Sequence, residues 1–273
     1  MTIFAAAQMT SGPDVAANLA VAGRLIEEAA GAGAGVVLLP ENFNFMGQKD
    51  GDKRKIAEVY GSGPTQEFLA ATAERHRLWL IGGTQPLQSD AAGGKVTNSC
   101  LVYDPAGQCV ARYDKIHLFD VDVPDKPGES YRESSSVAPG HDVVCVDTPA
   151  GRVGLSVCYD MRFPELYRRL STAGAEILVM PAAFTVPTGR AHWETLLRAR
   201  AIENLSYVVA AAQCGMHPSG RETYGDSLII DYWGCVITRR PTGSGIITAA
   251  IDRDAMARTR ADFPALQNRV LTC

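Results

Sequence analysis

The chain is poor in the features that mark nucleic-acid-binding, membrane and secreted proteins. Its 26 Lys and Arg residues are outnumbered by 30 Asp and Glu, and its only basic run is Lys53-Arg54-Lys55. Nucleic acids and anionic membranes attract clustered basic residues, so neither is expected as a partner, and we interpret the run as a solvated surface. No apolar stretch reaches membrane-spanning length, and the first residues lack the pattern of a signal peptide. We therefore expect a soluble, cytoplasmic protein.

The cysteines also lack the patterns that indicate disulfides or zinc. They are seven in number, and no two are spaced as Cys-x-x-Cys, so we expect neither a disulfide framework nor a zinc site. Most of them should be small buried hydrophobic residues. Only Cys158 has a sequence context that suggests chemistry.

Apolar residues make up 46% of the chain, and their spacing predicts alternating strands and helices. The predicted helices lie at 15–30, 64–76, 164–173 and 191–203. The predicted strands lie at 3–8, 36–39, 78–81, 176–180, 207–212 and 245–251. Hairpin turns are predicted at 104–107, 148–151 and 231–234, and the polar stretch 119–140 is predicted as a long loop.

Strand-helix-strand units mixed with hairpins favour an α/β protein in which mixed sheets are covered by helices. Two such sheets packed together form a four-layer α-β-β-α sandwich. No repeat or low-complexity linker divides the sequence, so we expect a single domain over residues 1–273.

Cys158 lies where the apolar segment 153–157 stops and a short segment leads to Pro164. Amides at a helix start stabilise a thiolate, so this position suits an exposed and activated nucleophile. A thiol of ordinary pKa is mostly protonated at neutral pH and needs a base, a cation or both. Pairing with one of the five histidines stays an open alternative, although surface or core roles suit each of them better.

Glu41 and Lys115 are the other candidates for chemistry. Glu41 follows an apolar strand and a proline, a poor place for a carboxylate unless it is used or well hydrogen-bonded; its alternative role is to cap backbone amides. Lys115 lies where strand alternation gives way to the long loop, and its alternative is a strand-edge lysine paired with Asp114 or solvent. Together with Cys158 they provide a base, a cation and a nucleophile, each at a predicted strand end.

Three segments carry a family resemblance. They are Leu-Pro-Glu-Asn at 39–42, Tyr-Asp-Lys-Ile-His-Leu-Phe at 113–119 and Gly-Leu-Ser-Val-Cys-Tyr-Asp-Met-Arg-Phe-Pro-Glu at 154–165. In this order they resemble the three catalytic motifs of the nitrilase superfamily of carbon-nitrogen hydrolases. Further segments at 174–178, 191–194, 198–204 and 211–215 resemble the Nit branch, the amidases related to omega-amidase and deaminated glutathione amidase.

The resemblance implies the four-layer sandwich and a mechanism without metal or organic cofactor. Glu41 takes the proton of Cys158, and the thiolate attacks an amide carbonyl. Lys115 and the backbone N–H of Tyr159 stabilise the oxyanion. Ammonia leaves, and Glu41 then activates the water that hydrolyses the thioester. The implied substrate is a small amide that carries a carboxylate, deaminated glutathione first, with 2-oxoglutaramate or another small amide or nitrile as the alternative.

Two further residues near the catalytic motifs are implied by the family pattern. Glu133 matches a second glutamate that orients the lysine or the water, with Glu129 as a less favoured substitute and an ordinary loop carboxylate as the alternative. Arg162, four residues after Cys158, would either orient substrate or pair with an acidic neighbour.

The substrate pocket is predicted to be walled by Tyr159 and by the segment 184–190, interpreted as a loop between a strand and a helix. Phe184, Thr185 and Arg190 are its candidate binding residues. Arg190 stands where the branch has proline, and would bind a substrate carboxylate or simply be exposed. Asp226 stands where histidine is common. These two differences from the family pattern, at Arg190 and Asp226, bear on which substrate is bound and not on the type of reaction.

Two other functional classes stay open at this point. One is a catalytically silent interaction protein on the same fold, and the other makes Cys158 a redox sensor. The intact Glu41, Lys115 and Cys158 favour the enzyme, since a scaffold does not need a thiol at a strand end. The resemblance also implies a homodimer.

Overall fold

A computed structural model of the protein describes residues 1–122 and 130–271. The helices in these ranges are α1 (Val15–Gly31), α2 (Pro64–His76), α3 (Pro164–Thr172), α4 (Val186–Asn204) and α5 (Arg253–Asp262), with short 3₁₀ helices at Asp50–Lys55, Glu133–Ser135 and Cys158–Arg162. The strands are β1 (Thr2–Gln8), β2 (Ala34–Leu38), β3 (Trp79–Ile81), β4 (Gln85–Gln88), β5 (Val96–Tyr103), β6 (Cys109–Asp114), β7 (Asp120–Asp122), β8 (Ser130–Arg132), β9 (Cys145–Thr148), β10 (Gly151–Leu155), β11 (Ile177–Ala182), β12 (Tyr207–Ala212), β13 (Cys214–Met216), β14 (Glu222–Tyr224), β15 (Ser227–Ile230), β16 (Val236–Arg240) and β17 (Gly245–Ile251).

The strands form two large mixed sheets. The first has the order β17-β1-β2-β3-β5-β4, with β6 also paired to β5, and the second has the order β16-β15-β12-β11-β10-β9. Parallel pairs lie at the centre of each sheet, between β1, β2 and β3 and between β10, β11 and β12. Parallel neighbours need crossover helices, and α1, α2, α3 and α4 supply them.

The four layers follow from the alternation of side chains along the strands. In β1, Phe4 and Ala6 join the apolar core shared with the second sheet, whereas Ala5 and Ala7 join a separate cluster beneath α1. Helices α1 and α2 pack on the outer face of the first sheet, and α3 and α4 pack on the second. The predicted α-β-β-α sandwich is confirmed.

Two segments differ from their prediction. The stretch 184–190 is not a loop beyond Thr185, because α4 begins at Val186 with Pro187 in its first turn, where the fixed φ of proline suits a helix start. The described part of 119–140 is not a plain loop either, since β7 and β8 pair into a ribbon that leads into a 3₁₀ helix. Glu129 lies outside the described residues.

No described helix is long and apolar enough to cross a bilayer.

The buried carboxylate of Asp160 ties the first sheet to the turn that follows β10. Its Oδ2 accepts hydrogen bonds from the Tyr113 hydroxyl (2.6 Å), which belongs to β6, and from the Val157 amide (2.8 Å). Its Oδ1 lies 3.0 Å from the amide of His117 and 2.7 Å from its Nδ1. Asp160 is fully buried, so each of these contacts is formed without competition from water.

We expect Asp160→Asn to lower the free energy of unfolding by about 2 to 4 kcal/mol, because an amide cannot accept at both ends and leaves buried donors unpaired. Urea titration followed by circular dichroism measures this change. The control is Asp147→Asn, which removes an exposed carboxylate paired with Arg152 and should change stability by less than about 1 kcal/mol. Equal losses in the two variants would contradict the role given to Asp160.

Candidate active site

The thiol of Cys158 lies on a sharp turn between β10 and the 3₁₀ helix that it begins. Its φ is +50°, a left-handed conformation that is unfavourable for a residue with a side chain and persists only when its surroundings hold it. The Asp160 carboxylate fixes the Val157 amide just before it, and the Ser156 hydroxyl donates to the Val179 carbonyl (2.8 Å) on β11. The strained turn therefore holds the side chain of Cys158, which is 7% exposed, at the floor of a cavity.

Lys115 lies between two carboxylates at the same place. Its Nζ is 3.0 Å from Oε1 of Glu41 and 2.8 Å from Oε2 of Glu133, and its side chain is only 2% exposed. The side-chain amide of Asn98 donates to both glutamates, at 3.1 and 3.3 Å. The buried ammonium thus has a carboxylate acceptor from each of two glutamates, and Asn98 orients both carboxylates.

The backbone around each of these groups is also fixed. Glu41 follows β2, and its carbonyl accepts a hydrogen bond from the Gln213 side chain at 3.0 Å. Lys115 follows the last residue of β6, and its amide donates to the Asn98 carbonyl at 3.0 Å. Glu133 begins a 3₁₀ helix, and its Oε2 also accepts from the Phe119 amide at 2.8 Å. The first sheet and its loops therefore supply the charged groups, whereas the second sheet supplies the thiol.

Burial and neighbouring charge shift the protonation of these groups. Burial opposes the charged form of Lys115, but the carboxylates of Glu133 and Glu41 outweigh it and raise the lysine pKa well above its usual value. Burial likewise opposes ionisation of Glu133, but Lys115 and Lys53 hold the pKa of that carboxyl well below its usual range. The ammonium and the Glu133 carboxylate are therefore both charged at neutral pH.

The thiol behaves differently from the expectation of a thiolate stabilised by a helix start. Burial, followed by the charge of the Glu41 carboxylate, raises the pKa of Cys158, and Lys115 opposes this only in part. The helix that begins at Cys158 is a five-residue 3₁₀ turn, too short to supply a large dipole. The resting nucleophile is a thiol, so it needs a base at the moment of attack.

The predicted catalytic residues line one cavity of about 510 Å³, measured to its open mouth. Glu41, Lys115, Glu133 and Cys158 all border it, as do the predicted wall residues Tyr159, Phe184 and Thr185. No histidine lines it within the described part of the chain. The Cys–His alternative is therefore not formed, and His117 is instead bonded to Asp160 and stacked on Phe163 at 3.7 Å.

The two predicted binding arginines lie outside this cavity. The Arg162 guanidinium is 5.7 Å from the ring centroid of Tyr159 and 5.4 Å from that of Phe184, so it supports the wall without lining it. Arg190 is exposed on α4 and borders a separate cavity beside Asp226. Asp226 itself is buried and accepts two hydrogen bonds from Arg239, at 3.0 and 2.6 Å.

Sequence reasoning missed two cations of the cavity, Lys53 and Arg221. Lys53 belongs to the basic run interpreted as a solvated surface, but it is half-buried and faces the cavity. The Arg221 guanidinium lies 4.9 Å from the ring centroid of Tyr131 and donates to the Ala183 carbonyl at 2.8 Å. Neither residue belongs to one of the three motifs, so only the fold shows that both face the cavity.

Comparison with known proteins extends the resemblance over the whole chain. Residues 4–261 match the sequence model of the family described as Carbon-nitrogen hydrolase. The deaminated glutathione amidase of Synechocystis sp. is 44% identical over 270 residues, 98% of this chain and 98% of that protein. The C. elegans NitFhit protein superposes with a TM-score of 0.91 at 38% identity, over 98% of this chain and 65% of its own. Saccharomyces cerevisiae Nit3, a member of branch 10 of the nitrilase superfamily, gives 0.88 at 31% identity, over 99% and 97%.

The raised pKa predicts that Cys158 stays a thiol across the neutral range. The ultraviolet thiolate absorbance that Cys158→Ser removes should titrate above the ordinary value of about 8.5. In Glu41→Gln the pKa of Cys158 should fall, because a negative charge beside the sulfur is removed while the Lys115 cation stays. The turnover number should nevertheless drop by about 10² to 10⁴, because the variant has no base at this position. A step specific to Cys158 below about pH 8 in the unmodified protein would show a thiolate–cation pair instead.

Proposed function

This chain belongs to the carbon-nitrogen hydrolase family, and we propose that it hydrolyses a small amide that carries a carboxylate, through a thioester on Cys158. The observation that carries the proposal is the meeting of Cys158, Glu41 and Lys115 in one cavity that also holds Lys53 and Arg221. Deaminated glutathione is the substrate we favour, because the name of the Synechocystis relative states that activity at 44% identity over nearly the whole chain.

The geometry supports a complete cycle with Glu41 as the only proton carrier. Glu41 takes the thiol proton as Cys158 attacks the carbonyl carbon, and the oxyanion is stabilised by Lys115 and by the N–H of Tyr159. The C–N bond then breaks as Glu41 returns the proton to the leaving nitrogen, which gives a thioester and a free amine. Glu41 next removes a proton from water as the oxygen attacks the thioester carbon. The C–S bond breaks to release the acid, and the Cys158 sulfur takes the proton back from Glu41.

The leaving amine depends on the substrate. In deaminated glutathione the scissile nitrogen belongs to cysteinylglycine, so that dipeptide leaves, and the expected release of ammonia applies only to a primary amide such as 2-oxoglutaramate. Both substrates transfer the same 2-oxoglutaryl group to the cysteine. The omega-amidase alternative therefore shares the acyl half of the proposed reaction and differs in the amine half.

The two cations of the cavity support an anionic substrate. No carboxylate lies within ion-pair distance of Lys53 or Arg221 among the described side chains, which do not include that of Asp50, and the Nε–H of Arg221 is buried without an acceptor there. Buried donors and charges are normally paired. A carboxylate of the substrate would supply the missing acceptor, and guanidinium groups bind carboxylates through two parallel hydrogen bonds.

We expect the protein to hydrolyse deaminated glutathione and 2-oxoglutaramate faster than a simple amide or nitrile without a carboxylate, measured as cysteinylglycine and ammonia release. Intact-mass spectrometry during turnover should show the same 2-oxoglutaryl adduct from both substrates. Cys158→Ala should lose the adduct and the activity, whereas Cys235→Ala, at an exposed cysteine, should keep both. Hydrolysis of none of the four compounds would contradict the proposal.

We also propose that the protein is a homodimer that uses an exposed apolar surface. Trp233, Phe263 and Ile202 are each about half exposed, and the Trp233 and Phe263 rings pack edge-to-face at 5.5 Å. Contiguous apolar surface of this kind marks association sites.

Analytical ultracentrifugation should give a molar mass twice that of one chain. Trp233→Ser should shift it toward the monomer, whereas Met216→Ser, at an equally exposed apolar position on β13, should not. A wild-type monomer, or equal effects of the two substitutions, would contradict this surface as the interface.

A further inference from the structure

A second cavity lies beside the catalytic one. The two cavities share Asn42, Lys53, Tyr131 and Arg221 as a common wall. The second, which we term the outer chamber, is also lined by Phe45, Met46, Gly47, Gln48, Lys49, Ser130 and Ser219 and measures about 830 Å³ to its open mouth. The outer chamber is therefore the cavity adjacent to the groups that surround Cys158.

The common wall carries an unpaired hydrogen-bond acceptor. Asn42 is 5% exposed, and its side-chain oxygen is buried without a partner among the described residues. Its backbone is fixed beside Glu41, with φ at +56° and the amide donating to the Thr84 hydroxyl at 2.8 Å. A buried acceptor of this kind is costly unless a ligand pairs with it, and a peptide N–H is a donor that suits it.

The outer chamber also has an apolar floor and a charged rim. Phe45 and Met46 are both buried. The backbone N–H of Met46 donates a hydrogen bond to the Gly12 carbonyl at 2.9 Å, which holds this segment in place. Lys49 is exposed at the rim, with no carboxylate within ion-pair distance among the side chains that the structure describes, that of Asp50 not being one of them. Asp52, three residues further along the chain, is already paired with Lys55 at 2.7 Å.

We propose that the outer chamber binds the amine half of the substrate, a short peptide-like group that ends in a carboxylate. Asn42 accepts a peptide N–H, Phe45 and Met46 face the side chain of the peptide, and Lys49 attracts the terminal carboxylate. Lys53 and Arg221 then remain for the acyl carboxylate on the inner side. This inference rests on the proposed function, and it makes Lys49 a residue that favours dipeptidyl amides over primary amides.

The test compares three substrates that share one acyl group: deaminated glutathione, its analogue with a C-terminal glycinamide, and 2-oxoglutaramate. In the unmodified protein, kcat/KM for deaminated glutathione should exceed that for the glycinamide analogue by about fivefold, and the ratio should fall as salt is added. In Lys49→Gln this ratio should approach one, and the ratio to 2-oxoglutaramate should fall by the same factor. Lys55→Gln, a matched charge loss on a lysine that lines neither cavity, should preserve both ratios.

Two results would overturn the inference. One is a Lys49→Gln variant whose ratios match those of the unmodified protein, including the case in which all three substrates are hydrolysed more slowly in parallel. The other is an unmodified protein that hydrolyses 2-oxoglutaramate but not deaminated glutathione, which leaves the proposed amidase function standing. Failure to hydrolyse any of the three substrates would instead contradict the proposed function itself.

Discussion

The burial of one lysine ammonium is the constraint on which the site depends. Lys115 is removed from water, and an isolated buried ammonium would either lose its proton or destabilise the fold. Glu41 and Glu133 on either side prevent this, but each carboxylate must then be ordered by its own backbone segment. Three segments therefore meet at the Nζ atom of Lys115: the loop after β2, the end of β6 and the 3₁₀ helix at Glu133. Their meeting point defines the catalytic cavity.

The division of the site between two sheets follows from the same requirement. Lys115 contacts two carboxylates and does not pair with Glu41 alone. Burial and the charge of Glu41 raise the pKa of Cys158, so the sulfur keeps its proton until Glu41 removes it during the attack. The thiol comes from the opposite sheet, and Asp160 joins its turn to β6, the strand that Lys115 follows.

The sequence predicted the parts of the structure that local chemistry controls. Helix α2 and strands β12 and β17 lie where periodicity places them, and Glu41, Lys115 and Cys158 stand out because polar groups seldom end apolar strands without a purpose. The start of α4 was missed because apolar spacing does not reveal a first turn begun by proline. Lys53 and Arg221 were missed for a different reason, since only the folded chain shows that they face the cavity.

Net charge and local charge lead to different conclusions about the partner. The chain is acidic as a whole, with a formal charge of −4, which disfavours extended polyanions. The catalytic cavity nevertheless holds three basic side chains against two carboxylates, and the outer chamber adds Lys49. With Cys158 a neutral thiol, the cavity carries a net positive charge in an enclosed space where screening by salt is weak. A small anion is therefore attracted where a polyanion is repelled, and we propose that these few charges select the substrate.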